Sequence, residues 1–389
     1  MMNPIVILGT GLAGYTVARE FRKLDKAAPL VLLTRDGGGF YSKPMLSNAI
    51  AQDKEAAALV TQSAEQMATQ LNATVRTRVD VESLDAAAHV VRLAGGESIP
   101  YSRLVLAPGA DPVRIPLGGD AAAEVLSVND VEDYARFRDA TRGRERVAVI
   151  GAGLIGSEFA NDLAVGGYGV DVIDLAPAPL GRLAPREAGE FVRERLAALG
   201  VRFHFGSAPK SVDRSGDGLV VTIENGARVV ADVVLSAVGL RPRTALAKAA
   251  GLAVNRGIVV DRYLATTAAD VYALGDAAEV DGLVLPYVMP IMQAARSLAR
   301  TLAGEPTAVT YPAMPVVVKT PAAPLVVSPI ARGEARWECV ASPEGVRAEC
   351  FDGAGHLAGF ALAGAAVAEK QALAKRLPAW LSAEPAAGS

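Results

Sequence analysis

Thiols and imidazoles are scarce in this sequence. Its 389 residues include two cysteines, Cys339 and Cys350, and three histidines that share no metal-ligand spacing. Two thiols cannot build a disulfide scaffold, a zinc ribbon or a four-thiolate iron–sulfur site. The segments 337–340 and 348–351 are typical of an antiparallel strand pair, so we interpret the thiols as small core residues. We predict no metal site, and any redox chemistry would depend on a bound organic cofactor.

An excess of one charge and long apolar runs are also missing. The 39 basic and 42 acidic residues give a net charge of -3, which provides no electrostatic footprint for nucleic acid. The first apolar run, residues 5–8, enters a glycine turn without a basic segment before it. The run 361–368 is far shorter than the roughly 20 residues that cross a bilayer. We therefore expect a cytoplasmic protein with no membrane segment.

The chain is long and apolar enough to form more than one core. At roughly 150 residues per domain, its length predicts two or three domains, and 51% of the residues are hydrophobic. Within this chain one motif occurs twice: a short apolar run, then G-x-G-x-x-G, then an alanine-rich helical pattern. The motif glycines are Gly9, Gly11 and Gly14 in the first copy, and Gly151, Gly153 and Gly156 in the second.

The physical role of these glycines is specific. The first glycine makes a tight turn, the second admits a pyrophosphate close to the backbone, and the third lets the helix approach the strand. The helix N-terminus then points its free N–H groups at the phosphates. Both copies have the strand-before and helix-after context that the motif requires. The sequence therefore predicts two bound dinucleotides, with hydride transfer between them as the natural use.

A second short apolar run, predicted to be a strand, follows the helical pattern in each copy at residues 29–34 and 169–174, and its last residue bears on nucleotide choice. Asp174 follows Gly156 by 18 residues, close to the spacing of about 20 for a carboxylate that binds a ribose 2′-hydroxyl and repels a 2′-phosphate. This favours NADH over NADPH, although Arg182 stands near enough in sequence to reach a phosphate. The first copy has Thr34 and Arg35 at this position, so a hydroxyl or backbone group would serve the ribose there.

Three further strands end in glycine turns. Two of them reach Gly109 and Gly239, and the third ends at Gly275-Asp276, before a helical segment from about Pro290. At the carboxyl end of a parallel strand, Asp276 can accept hydrogen bonds from a sugar-alcohol chain. The alternative for Asp276 is a helix-capping or turn role.

Together these features resemble the FAD-dependent pyridine-nucleotide reductases with two dinucleotide-binding motifs, and among them the rubredoxin–NAD(+) reductases. The likeness also includes residues 40–47, 287–290 and 318–321. It implies an α/β fold with two three-layer Rossmann-like lobes, one for FAD and one for NAD, and a small α+β C-terminal domain. A monomer is compatible with the sequence, which has no evident coiled coil or long apolar interface helix.

The resemblance also implies domain boundaries and cofactor contacts. FAD would occupy 1–109 and 241–309, NADH 110–240, and the C-terminal domain would cover 310–389. The implied FAD contacts are Gly9, Thr10, Gly11, Leu12, Ala13, Gly14, Thr34, Arg35, Lys43, Val79, Gly109, Glu158, Gly275, Asp276, Val288 and Lys319. The implied NAD contacts are Gly151, Gly153, Leu154, Ile155, Gly156, Asp174 and Gly239.

Lys43 and Glu158 are the implied catalytic residues. By the resemblance, Lys43 lies beside the flavin, where an ammonium favours the anionic reduced ring, and Glu158 comes close enough to pair with it. The alternatives are an unrelated loop lysine and a surface glutamate in the first turn of a helix. Lys319 is either a charge that protects an edge strand or, by the resemblance, a side chain that reaches the flavin.

The absence of cysteine near Lys43 excludes a thiolate relay, since the neighbouring Ser42 cannot cycle through a sulfenate or disulfide.

The resemblance implies that hydride passes from NADH to flavin N5 and that single electrons then reach rubredoxin, which serves alkane hydroxylation or oxygen detoxification. Two alternatives are a [2Fe–2S] ferredoxin of an oxygenase system as acceptor, and a non-enzymatic flavoprotein with redox-gated binding. Candidate basic residues for carrier docking are Arg114, Lys319, Arg332 and Arg336.

Overall fold

A computed structural model describes residues 2–330, 332–333 and 336–383. The strands are β1 (Ile5–Leu8), β2 (Leu30–Leu33), β3 (Thr74–Arg76), β4 (Val81–Asp85), β5 (Val90–Leu93), β6 (Ser98–Pro100), β7 (Arg103–Leu106), β8 (Ala110–Pro112), β9 (Arg146–Ile150), β10 (Gly169–Asp174), β11 (Arg202–Phe205), β12 (Pro209–Ser215), β13 (Gly218–Ile223), β14 (Arg228–Ala231), β15 (Val233–Ser236), β16 (Leu240–Pro242), β17 (Ile258–Val260), β18 (Val271–Ala273), β19 (Ala278–Val280), β20 (Val316–Val318), β21 (Leu325–Ser328), β22 (Arg336–Ser342), β23 (Gly345–Phe351) and β24 (Leu357–Gly364).

The α-helices are α1 (Leu12–Leu24), α2 (Ala56–Leu59), α3 (Ala64–Leu71), α4 (Val131–Thr141), α5 (Leu154–Val165), α6 (Arg186–Ala198), α7 (Ala245–Ala249), α8 (Val288–Leu302) and α9 (Lys370–Ala374). Short 3₁₀ helices cover Lys43–Asn48, Ala122–Glu124, Gly275–Ala277 and Ala365–Glu369. In the described part of the chain, none of the helices is long and apolar enough to cross a bilayer.

The first lobe is built on a parallel sheet with strand order β18-β7-β1-β2-β3. Its central strands are short apolar runs, as expected for a parallel sheet covered on both faces. Strand β18 comes from a distant part of the chain and pairs in parallel with β7, with Val271 opposite Leu104. Helices α1 and α8 pack against each other over this sheet. One lobe therefore contains both the first glycine motif and the Gly275-Asp276 turn.

The second lobe contains the parallel sheet β11-β10-β9-β15 and the antiparallel sheet β12-β13-β14. Apolar residues of the two sheets, such as Ile150 and Val221, share one buried cluster. The chain enters this lobe along β8 and leaves it along β16, and the two strands pair antiparallel, with Leu240 opposite Pro112. The second lobe is thus an insertion whose two connections lie side by side.

The C-terminal part forms an antiparallel sheet with order β20-β21-β24-β23-β22. The predicted strand pair around the cysteines is confirmed, with Trp337 opposite Cys350 and Cys339 opposite Ala348. Cys350 is buried and Cys339 half-buried, and both are free thiols. Burial, followed by the nearby Glu187 carboxylate, raises the pKa of Cys339 to about 11. Cys350 therefore agrees with the interpretation as a small core residue, whereas Cys339 packs against the core while half-buried.

Two glycine motifs produce two equivalent turns. Gly9 and Gly151 have φ values of +110° and +103°, a region that favours glycine. A Cβ atom on Gly14 would lie 1.9 Å from the Gly9 carbonyl oxygen, and one on Gly156 would lie 1.9 Å from the Gly151 carbonyl oxygen. The third glycine of each motif is therefore required for the contact between helix and turn.

We predict that Gly14→Ala strongly destabilises the first lobe, because the added methyl group meets backbone. Overpacking of this kind costs on the order of 3 kcal/mol of unfolding free energy, measurable by urea unfolding. Gly11→Ala is the matched control: among the described residues, no heavy atom outside its chain neighbours lies within 4 Å of the added Cβ. Equal unfolding midpoints for the two variants would contradict this role of Gly14.

Candidate functional site

A continuous cavity of about 2480 Å³ runs between the two lobes and the C-terminal sheet. All residues predicted to contact FAD or NAD line it except Gly14, Gly156 and Gly275. Those three glycines have packing roles instead. A Cβ atom on Gly275, which has φ +80°, would lie 2.8 Å from the Cβ of Ala13. The cavity therefore joins the two glycine motifs in one space.

The second glycine of each motif leaves room for a ligand. Gly11 and Gly153 are the N-cap residues of α1 and α5, and within the described chain neither cap has a side-chain hydrogen bond. Outside the chain neighbours, no described heavy atom lies within 4 Å of a Cβ placed on either residue. Free N–H groups at a helix N-terminus beside open space fit a bound pyrophosphate. Both motifs thus suit dinucleotides such as FAD and NAD.

Asp36 organises the edge of the first motif and was missed by the sequence reasoning. Its Oδ1 accepts hydrogen bonds from the Thr34 hydroxyl at 2.8 Å, the Gly38 N–H at 2.8 Å and the Thr10 hydroxyl at 3.4 Å. Asp36 also lines the cavity. The signal that could have found it is a carboxylate shortly after the end of β2. The neighbouring Arg35 side chain lies 3.4 Å from Asp111.

Val79, one of the implied FAD contacts, also lines the cavity. Its N–H donates to the Thr34 carbonyl oxygen at 3.0 Å. Because that donor is already used, a contact of FAD with the Val79 backbone would involve the Val79 carbonyl oxygen.

Asp174 is held against the turn of the second motif. It ends strand β10, and its carboxylate accepts from the Ala152 N–H at 2.5 Å and the Ala176 N–H at 2.7 Å. These bonds fix a negative charge on the cavity wall beside Gly151 and Gly153. Arg182 lines the cavity as well. The wall therefore has one group that repels a 2′-phosphate and one that could bind it.

Lys43 lies in a 3₁₀ helix and faces Asp276 across the cavity wall. Its Nζ is 3.7 Å from Asp276 Oδ2, and the Lys43 side chain is 36% exposed. Burial lowers the pKa of the Lys43 ammonium, and the Asp276 carboxylate opposes that effect. Asp276 lies inside the 3₁₀ helix Gly275–Ala277, so it does not cap a helix. The expected pairing of Lys43 with Glu158 is wrong, since Asp276 is its partner.

Glu158 pairs with Lys319 instead. It lies in the second turn of α5 and is fully buried, so the alternative of a surface glutamate in the first turn is also wrong. Its carboxylate accepts from the Ser47 hydroxyl at 2.5 Å and the Lys319 N–H at 2.9 Å, and it forms a salt bridge with the Lys319 ammonium. Lys319 follows edge strand β20 and turns inward to the cavity rather than protecting the edge.

Two more polar residues of α5 were not found from the sequence. Asn161 Oδ1 accepts from the Ala322 N–H at 3.1 Å. Asp162 accepts from the Ile50 N–H at 2.8 Å and the Ala51 N–H at 3.3 Å. Burial raises the pKa of Asp162 to about 6. The available signal was polar residues at positions i, i+3 and i+4 of an otherwise apolar helix, a spacing that places them on one face.

The mouth of the cavity has an apolar rim. Val288, Met289 and Val317 line the cavity and are 40%, 47% and 56% exposed. Three of the four predicted docking cations form ion pairs. Besides the Lys319–Glu158 pair, Arg332 lies 3.0 Å from Asp281 and Arg336 lies 2.6 Å from Glu338. Among the described residues, no group of three or more His, Cys, Asp or Glu side chains is placed to hold a metal ion.

We predict that Asp276→Leu weakens FAD retention, because it removes an acceptor from the cavity wall and leaves the Lys43 ammonium without its carboxylate partner. Loss of a hydrogen bond to a charged group should raise the Kd for FAD about tenfold or more, measured by fluorescence titration of the apoprotein. Asp276→Asn keeps an acceptor oxygen and serves as the matched control. A fully flavinated Asp276→Leu protein would exclude this role.

Comparisons with known families cover most of the chain. The family model described as pyridine nucleotide-disulphide oxidoreductase matches residues 3–299. A second model, described as rubredoxin binding C-terminal domain, matches residues 308–377.

Individual relatives agree with these models. The chain is 52% identical to a rubredoxin-NAD(+) reductase of Alcanivorax borkumensis, covering 97% of this chain and 99% of the relative. It is 45% identical to a rubredoxin-NAD(+) reductase of Acinetobacter baylyi, covering 98% and 100%. Among solved structures, the ferredoxin reductase for the CYP199A2 system of Rhodopseudomonas palustris superimposes with a TM-score of 0.85 at 26% identity, covering 93% and 91%. The chain therefore belongs to the pyridine nucleotide-disulphide oxidoreductase family and, within it, to the rubredoxin–NAD(+) reductases.

Proposed function

We propose that this chain is an NADH:rubredoxin oxidoreductase that uses FAD. The observation that carries the proposal is that three functional parts share one cavity. Both glycine motifs line it, and so do Val317 and Lys319 from the part that matches the rubredoxin-binding model. A donor nucleotide, a flavin and a carrier protein can therefore meet at one site.

We assign FAD to residues 1–109 and 241–309, NADH to 110–240, and carrier contacts to 310–389. Bound FAD supplies hydride acceptance from NADH and release of single electrons. The contribution of the protein is orientation and electrostatics, so no general base is required. We propose a cytoplasmic location, and that reduced rubredoxin serves alkane hydroxylation or oxygen detoxification, as the sequence resemblance implies.

The side chains on the cavity wall fit these roles. The open space at Gly11 and Gly153 admits the two pyrophosphates, and Asp174 would accept from the NADH ribose. Lys43 and Lys319 bring two ammonium groups to the cavity, each beside one carboxylate. Such cations stabilise negative charge that develops on a reduced ring.

Thiol chemistry has no place in this proposal. Of the described residues that line the cavity, none is a cysteine. Cys339 and Cys350 lie in strands β22 and β23, where burial raises the pKa of both thiols. Electrons would therefore leave the flavin directly for the carrier.

A ferredoxin is the second candidate acceptor, because the similar structure from Rhodopseudomonas palustris is a ferredoxin reductase. Steady-state reduction of rubredoxin and of a [2Fe–2S] ferredoxin by the FAD-loaded protein and NADH separates the two. We expect rubredoxin to have the higher kcat/KM. Preference for ferredoxin would overturn the carrier assignment, and loss of turnover with every acceptor, artificial ones included, would favour a non-enzymatic flavoprotein.

We predict that Val317→Asp impairs carrier use, because it places a charge in the apolar rim. An unpaired charge at a docking surface should raise the KM for rubredoxin about tenfold or more, with unchanged reduction of ferricyanide. Val340→Asp is the matched control, since Val340 is 68% exposed on β22 and does not line the cavity. Equal rubredoxin kinetics for both variants would exclude this rim as the docking surface.

We predict that nucleotide preference depends on Asp174. Asp174→Ala combined with Leu175→Arg should shift the ratio of kcat/KM values towards NADPH by at least about tenfold, since repulsion is removed and a cation is added. Leu175→Arg alone is the control, because Leu175 is exposed on the cavity wall and the carboxylate remains. An unchanged ratio in the double variant would mean that Asp174 does not face the ribose.

A further inference from the structure

Helix α5 has a buried polar face that joins three parts of the chain. Glu158, Asn161 and Asp162 are at most 4% exposed. Of these three described residues, only Glu158 lines the cavity. The other two lie one helical turn farther along α5, behind the cavity wall.

Asp162 anchors the segment that contains Lys43 and Ser47. Its two oxygens accept from the N–H groups of Ile50 and Ala51, which follow the 3₁₀ helix Lys43–Asn48 after one intervening residue, Ala49. Ser47, only three residues before Ile50, donates to Glu158. Two adjacent hydrogen bonds to one carboxylate restrict the position of this segment on α5.

Asn161 anchors the segment that begins at Lys319. Its Oδ1 accepts from the Ala322 N–H. The turn formed by residues 319–323 is closed by the Thr320 hydroxyl, which donates to the Ala323 carbonyl oxygen at 2.7 Å. Lys319, at the other end of this turn, donates its own N–H to Glu158. The backbone on both sides of Thr320 is thus held by the same helix.

The charge of Asp162 depends on backbone donors rather than on a cation. In the described chain, Asp162 has no cationic partner within salt-bridge distance, and Glu158 on α5 and Tyr134 on α4 are titratable groups that interact with it. A buried carboxylate without a cation is tolerated only when it is well hydrogen-bonded. The Asp162 carboxylate therefore requires the Ile50 and Ala51 N–H groups to stay in place.

We propose that Asn161 and Asp162 are positioning residues, which hold the Ser47 and Lys319 segments on α5 so that the Glu158–Lys319 ion pair faces the flavin site. This proposal rests on the proposed function. Neither residue touches the cavity, so both act through Glu158, Ser47 and Lys319. A displacement of the Lys319 ammonium changes the distance between its positive charge and the reduced flavin ring, and therefore the electrostatic potential at the ring.

The test measures the reduction potential of the bound flavin and the rate of its reduction by NADH in Asn161→Ala, Asp162→Asn and Asp162→Ala. Displacements near 1 Å at such sites reduce rates by up to roughly a hundredfold, and we expect about tenfold here. The potential should shift in the same direction as in Lys319→Met. Asp162→Asn keeps one acceptor and should lie between the wild type and Asp162→Ala.

Asp171→Asn is the matched control for stability. Asp171 is another buried carboxylate of the second lobe, on β10, and it bonds Arg202 and His204 away from the cavity. Its substitution should lower the unfolding temperature and leave the flavin potential unchanged.

The proposal is overturned if Asn161→Ala and Asp162→Asn lower the unfolding temperature as Asp171→Asn does but retain the wild-type potential and reduction rate. These two variants decide the matter even if Asp162→Ala does not fold. Failure of the proposed function is a separate result, because it would appear in the wild-type protein as absence of flavin reduction by NADH.

Discussion

The Glu158 carboxylate is fully buried in α5, where it accepts from Ser47 and from the Lys319 backbone and pairs with the Lys319 ammonium. These partners are 111 and 161 residues away along the chain. A buried charge of this kind is tolerated only when its partners are in place. Because each partner comes from a different part of the chain, the interaction requires both lobes and the C-terminal sheet to assemble.

The arrangement of the two lobes and the C-terminal sheet also places their functional residues around the same cavity. The insertion of the second lobe through paired strands β8 and β16 lets two similar nucleotide-binding units face each other across one cavity. One hydrophobic cluster continues from the second lobe into the C-terminal sheet and includes Val172, Val318 and Val346. The carrier-binding part is therefore packed against the lobe proposed for NADH, with its edge at the cavity mouth.

The backbone of both motifs could be predicted from the sequence because the first and third glycines of each motif meet a local steric requirement. Strand β10 ends at Asp174, the residue whose spacing from Gly156 predicted a contact with the NADH ribose. Side-chain pairs between distant segments were beyond this reasoning: Glu158 was expected to meet Lys43, yet its partner is Lys319. Asp162 was missed for the same reason, since its role depends on the Ile50 and Ala51 N–H groups, which only the folded chain brings near. Asp36 was missed although two of its donors, Thr34 and Gly38, lie two residues away in the sequence.

If both nucleotides and the carrier meet in one cavity, NADH must reduce the bound flavin and the reduced flavin must reduce the carrier. Both steps can be followed by visible absorbance in an anaerobic titration of the FAD-loaded protein. We expect about one equivalent of NADH per bound FAD to bleach the flavin absorbance. Oxidised rubredoxin added afterwards should then restore that absorbance. A flavin that NADH leaves oxidised, or a reduced flavin that rubredoxin leaves bleached, would contradict the account.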